Sequence, residues 1–167
     1  MKMKNLLFLM MAVFALSFAA CSDDDDDSLA GSVAGQYSGE LEVYFPNGSI
    51  DTTYTNQKIN ITSTSEDRVT LKLENFNFGA INIGTIVIED VLVKQETDTD
   101  DDDRTITYKA LTGNTTIEAP IFGDAKIPLD IEVDGAEYKG KVNIDLEVSF
   151  GEASNINMVY VNFYGKR

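Results

Sequence analysis

Beyond its first 28 residues the sequence predicts an all-β fold, an eight-stranded antiparallel up-and-down barrel, with a two-sheet β-sandwich as the alternative. Three observations carry that expectation. Apolar residues recur at every second position over long stretches, clusters of Gly, Pro, Asn and Asp punctuate those stretches at hairpin spacing, and no apolar spacing of 3.6 residues persists past the N-terminal segment. About 139 residues remain after that segment, enough to bury the core of one domain.

The clearest alternation runs from Lys126 to Asp134, with Ile127, Leu129, Ile131 and Val133 on one face and Pro128, Asp130 and Glu132 on the other. It recurs from Tyr138 to Phe150 as Val142, Ile144, Leu146 and Val148 between charged and polar neighbours. Asp134 and Gly135 tolerate the positive φ of a type I′ turn and are expected to join these two strands. The first strand spans Gly35 to Phe45, with Tyr37, Leu41 and Val43 on one side, and Pro46 to Ser49 turn it. A second, Thr52 to Thr62, carries Ile59 and Ile61; a third runs from Arg68 to Phe78 and a fourth from Ile81 to Lys94, with bends expected at Gly79 and Gly84. The fifth covers Arg104 to Leu111 and continues through Thr115 to Glu118 after a turn at Gly113 and Asn114, and the eighth covers Asn155 to Tyr164. Pro128 inside a strand calls for an edge or a bulge.

The N-terminus has a different character. Lys2 and Lys4, an apolar run from Leu6 to Phe18, and Ala19 and Ala20 read as a cleaved export signal, because the run is shorter than the roughly 20 residues a spanning helix needs. Phe18, Ala19, Ala20 and Cys21 resemble the lipobox of bacterial lipoproteins, which implies acylation of Cys21. Attachment through two or more acyl chains, at about 0.8 kcal/mol per buried CH₂, is stable where one chain is not. Ser22 followed by Asp23, Asp24, Asp25, Asp26 and Asp27 is too charged to collapse and is expected to remain a solvated spacer. The same run is similar to the acidic surface-export signal of lipoproteins from Gram-negative gut anaerobes. That resemblance implies lipid anchoring at the extracellular face of the outer membrane rather than the periplasmic one. The expected organisation is therefore signal (1–20), lipidated cysteine with flexible acidic linker (21–32) and barrel domain (33–167).

Composition excludes several functions. The formal charge is −15; losing Lys2 and Lys4 takes it to −17, and setting Asp23 to Asp27 aside leaves −12 on the domain. Such a body repels nucleic-acid phosphates and anionic headgroups, so neither nucleic acid nor direct membrane contact beyond the lipid is expected. The chain has no histidine and one cysteine, which removes the usual general base, the usual zinc ligand and every Ser/His or Cys/His arrangement. No catalytic residues, cofactor or metal site are therefore assigned. A carboxylate-pair hydrolase survives only if two inward carboxylates face each other in a cleft with one pKa raised. Asp98 and Asp100 to Asp103 suggest a calcium loop, but with Asp98 at position one, Asp103 falls where glycine is required and Lys109 where the bidentate glutamate belongs. That cluster is read as a solvated hairpin tip. Tryptophan is absent, leaving tyrosine as the aromatic able to stack on sugars.

A family resemblance emerges from the strand and turn patterns: Val33, Ala34, Gly35, Gln36, Tyr37, Ser38 and Gly39 at the start; Leu73 to Gly79 and Ile81 to Gly84 in the middle; Ile127, Pro128 and Leu129; and Phe163, Tyr164, Gly165 and Lys166 at the close. They resemble the calycin-like β-barrel domain of exported lipoproteins. The resemblance implies a small barrel similar to lipocalins and fatty-acid-binding proteins, without a set activity. Gly35 and Tyr37 stand where lipocalins carry Gly-x-Trp, with Lys166 or Arg167 as the cation over the ring. The expected function is binding of a small apolar ligand in a lumen lined by Tyr37, Leu41, Val43, Ile59, Ile61, Ile127, Leu129, Ile131, Val142, Ile144, Leu146 and Tyr160. The alternative is a filled core whose loops or outer face contact another envelope protein or a glycan. Asn157, Met158, Val159, Val161 and Phe163 make the last strand apolar on both faces.

Overall fold

The computed structural model describes residues 28–46, 51–78, 81–99, 103–122, 125–150 and 158–167. The signal, Cys21 and the acid run, together with Gly79 and Asp100 to Asp102, lie outside the described residues. Eight strands form one closed barrel: β1 (Gly35–Tyr44), β2 (Asp51–Ser63), β3 (Arg68–Phe78), β4 (Ile81–Thr99), β5 (Thr105–Phe122), β6 (Ala125–Tyr138), β7 (Lys141–Ser149) and β8 (Met158–Lys166). Each is antiparallel to its sequence neighbours, and β1 pairs with β8 from Ser38↔Lys166 to Tyr44↔Tyr160, closing the sheet. The all-β up-and-down barrel is the observed architecture, and closure leaves no second sheet to stack.

Period-two spacing does what it predicts. In β7, Val142, Ile144, Leu146 and Val148 are buried, whereas Lys141, Asn143 and Asp145 are exposed. Each aliphatic side chain withdrawn this way contributes about 1.5–3 kcal/mol. One core unites residues of all eight strands, from Tyr37 and Leu41 to Val161 and Phe163.

Two turns move from their expected places. Asp134 and Gly135 lie within β6, opposite Asp145 and Ile144, and the chain reverses instead at Lys139 (φ 53) and Gly140 (φ 79), the pair of positive φ values a type I′ hairpin needs. Gly135 answers to packing, because a Cβ there would lie 2.7 Å from the Asn143 carbonyl. Likewise β5 passes unbroken through Gly113, which lies against the backbone of Val91. Pro128 pairs with Glu118 of β5. Gly84 has φ 83 beside a register shift opposite Phe76, matching the bend expected there.

β4 changes partners part-way. It pairs with β3 along Ile81–Leu92 and with β5 along Leu92–Thr99, so the two stretches meet at Leu92. Asp90 (φ 58) sits in the register shift between Val91 and Ile88, and Arg68 Nη1 donates to the Asp90 carbonyl at 2.8 Å, fixing the bend.

Residues 28–32 also depart from the expected linker. Ser28 caps a short helix, α1 (Leu29–Val33), its hydroxyl accepting from the Gly31 N–H at 2.8 Å. Ala30 and Val33 are fully buried in the core. The two small apolar residues, three apart, plug one end of the barrel, a stretch too brief to register as a helical period.

Candidate functional site

Among the described residues, the interior is packed from the plugged end inward. Of the expected lumen residues, Tyr37, Leu41, Val43, Ile59, Ile61, Leu129, Ile131, Val142, Ile144 and Leu146 are buried, and Ile127 packs partly buried against them. Among the described residues the space they enclose is a void of about 10 Å³ between Ile59, Leu71, Leu73, Ile86, Ile88, Ile144 and Leu146. That is room for one water at most, against the roughly 300 Å³ of a small-molecule site. Tyr160 is a correction: the inward residues of β8 are Val159, Val161 and Phe163, and Tyr160 faces out, stacked on Tyr44 with centroids 5.3 Å apart.

The plugged end is a hydrogen-bonded unit. Tyr37 is 0% exposed and its hydroxyl donates to the Val33 carbonyl at 2.9 Å, tying α1 to β1. Arg167, rather than Lys166, supplies the cation, its Cζ 5.3 Å from the Tyr37 ring centroid. The same guanidinium donates to the carbonyls of Ser32 (2.9 Å) and Ala34 (3.1 Å) and reaches Glu137 Oε1 at 3.4 Å. Glu137 is the buried charged residue among those described, and it also accepts from the Gly140 N–H at 2.7 Å.

Burial pushes the Tyr37 phenol from 10.0 up to about 12, with Arg167 pulling down and Glu137 adding a smaller upward push. A raised folded-state value means its contribution to stability is complete below pH 10 and is lost as pH climbs through 12. In an absorbance titration one tyrosine is therefore expected to ionise about two pH units late, and Tyr37→Phe should remove that step. Retention of the late step in the Phe variant would refute the assignment.

Outside, the described barrel wall carries a cleft of about 370 Å³ between Glu96, Tyr108 and Asn143 and two larger ones. Of those two, the larger, about 890 Å³, runs past Arg68 and Asp90 to the acidic faces of β6 and β7. There Asp134 stands opposite Asp145, and Glu132 opposite Glu147. Burial, then the Asp134 charge, raises the Asp145 carboxyl above its usual range. These carboxylates project side by side from one outer sheet face, as directly opposed cross-strand partners do. Because the folded value is raised, ionised Asp145 weakens the fold above its folded pKa, and the deficit disappears as pH falls below the unfolded value. Asp145→Asn is expected to stabilise the protein at pH 7 by about 0.3–0.5 kcal/mol, less at high salt, with no difference near pH 3. Urea melts at the two pH values test this.

The second cleft, about 480 Å³, lies across β6, β7, β8 and β1 near the plugged end. Its walls include Tyr138 and Tyr164, the large apolar side chains the described surface exposes, at 36% and 48%. Lys139 Nζ sits 4.7 Å from the Tyr138 ring centroid. Sequence reasoning overlooked this cleft, although a tyrosine at an outward position between charged residues was a visible signal. Asp98 and Asp103 of the acid loop are exposed, and among the described residues no group of three or more Asp, Glu or Cys is placed to hold a metal.

The closed eight-stranded barrel and its sequence agree on kinship: the model of the calycin-like beta-barrel domain matches residues 33–166. The chain belongs to that family. Among solved structures, a candidate outer membrane protein of Bacteroides fragilis is similar, with a TM-score of 0.61 and 23% identity. The match covers 83% of this chain and 52% of that one, so this calycin-like chain spans about half of that protein's length and shares its fold. No curated protein matches the chain.

Proposed function

We propose that this calycin-like chain is a lipoprotein of the outer membrane, attached through Cys21, displayed on the extracellular face, and acting as a binding module through its exterior. One observation carries the exterior reading: the described interior has about 10 Å³ of free space, whereas the outer wall has clefts of about 480 and 890 Å³. The lipobox-like segment ending at Cys21, and the acid run behind it, support the anchor and its display. Six residues, Ser22 to Asp27, separate Cys21 from Ser28, so the domain rides within about 25 Å of the bilayer.

The test uses protein purified from its own envelope. Intact mass is expected to show acyl chains on Cys21, Cys21→Ser to release the protein from membranes, and proteinase added to whole cells to degrade the wild-type domain. A fluorescent fatty acid should find no saturable site. Saturable one-to-one binding that a core substitution at Ile144 abolishes would return the function to the lumen, and an unmodified Cys21 would remove the anchor.

A further inference from the structure

Cross-strand register assembles the second outer cleft from four strands. One row reads Tyr138, Lys141, Lys166, Ser38 across β6, β7, β8 and β1, and the row beside it reads Ala136, Asn143, Tyr164, Glu40. Cross-strand partners project from the same face, and Val142 between the β7 pair is buried, so both rows point outward. Tyr138 and Tyr164 stand on a diagonal, two strand spacings and one two-residue step apart, about 12 Å between backbone positions, separated by the smaller Asn143 and the floor at Gly39, Val142 and Gly165. Exposed aromatic rings at that separation match every second ring of an oligosaccharide, whose C–H faces are apolar and whose rims are hydroxyls. A pocket of this size suits a ligand of a few rings rather than the roughly 800 Å² that a protein partner buries on each side.

Charge sharpens the choice. Lys141 and Lys166 are directly opposed like charges, unfavourable in a sheet, and among the described residues neither has an ion-pair partner. They form a cationic spot on a domain of charge −12, while Glu40 beside Tyr164 and Asp145 beyond Asn143 border the opposite side. An anion between the two ammonium groups relieves their repulsion. We propose that this cleft binds an acidic glycan, a uronate-bearing oligosaccharide whose carboxylate sits on Lys141 and Lys166. Its ring packs on Tyr138, the next sugar lies over Asn143, and the one after that packs on Tyr164. The proposal rests on the exterior-binding reading and gives it a ligand class.

Calorimetry on the full mature protein in detergent micelles tests it, with trigalacturonate and a hyaluronate tetrasaccharide as acidic probes and galactotriose as the neutral control. At least one acidic probe is expected to bind with a submillimolar Kd, about ten-fold weaker in Tyr164→Ala and in Lys141→Gln/Lys166→Gln, and weaker at high salt. Galactotriose should bind less tightly and be insensitive to the lysine changes. All three side chains are exposed, so unchanged melting of the variants shows that the fold is kept. Silence with both acidic probes, or affinities the variants leave unchanged, overturns the proposal. Self-association lost on the lysine changes would assign the cleft to a second copy, and crosslinking through Tyr164 to an envelope protein would assign it to that protein. Either outcome overturns the glycan while leaving the exterior reading standing; only the saturable lumenal site described above would remove both.

Discussion

Gly39→Ala is expected to destabilise the barrel by about 3–4 kcal/mol, a large share of the stability of a domain this size. A Cβ at position 39 would overlap the Tyr164 carbonyl oxygen and lie 2.6 Å from the Gly165 Cα. Both obstacles are backbone, so no rotamer change can clear them. They also belong to β8 in the ladder that closes the sheet, where Gly39 pairs with Gly165 between Ser38↔Lys166 and Glu40↔Tyr164. Making room means prising β1 from β8 and breaking ladder hydrogen bonds at the seam. Gly140→Ala is the control: its φ is 79 and a Cβ there meets nothing within 4 Å, so only the left-handed backbone is penalised, at about 1 kcal/mol. Urea midpoints of the two variants should differ widely. Equal midpoints would mean the seam has slack that the close approach denies.

The strands were legible because burial in a barrel depends on a residue's own parity along the chain. Ile127 to Val133 and Val142 to Val148 needed no partner to declare their faces. Parity fails where both faces are apolar: the sequence put Tyr160 of β8 in the lumen, and the burial of Val159, Val161 and Phe163 with the stack on Tyr44 turns it outward. Turn chemistry misled at Asp134–Gly135, because glycine serves close backbone approach as readily as a reversal, and the register against β7 decides between them. The helix α1 was missed because two buried residues, Ala30 and Val33, make no measurable period. The outer cleft left a single outward tyrosine as its sign, and its assembly was illegible for a deeper reason. Tyr138, Lys141 and Tyr164 come from three strands, and their adjacency exists only once the pairing is fixed. Arg167 could be narrowed to one of two terminal cations, but Glu137, the carboxylate that receives it, gave no sign beside a run of exposed acids.

Arg167→Met should cost about 2–3 kcal/mol and loosen the plugged end as a unit. The guanidinium makes two hydrogen bonds to α1 backbone, at Ser32 and Ala34, lies over Tyr37, and faces Glu137 at 3.4 Å. Each neutral acceptor it leaves behind forfeits about 1 kcal/mol. The Arg167 side chain is 39% exposed, so the ion pair itself is screened and contributes modestly. The stranded partner weighs more: Glu137 is 7% exposed, and without Arg167 its charge keeps only the Gly140 N–H. Glu137→Gln in the Arg167→Met background should therefore recover about 1 kcal/mol, since an amide oxygen still accepts from Gly140 without carrying a buried charge. A double-mutant cycle by urea denaturation reads that coupling directly. Arg167 also holds the Tyr37 phenol down against burial, so its removal should delay that tyrosine's ionisation further in the same absorbance titration. A variant that melts like the wild type, with Tyr37 titrating unchanged, would mean the C-terminal residue merely rests on the barrel and α1 is held by Ala30 and Val33 alone.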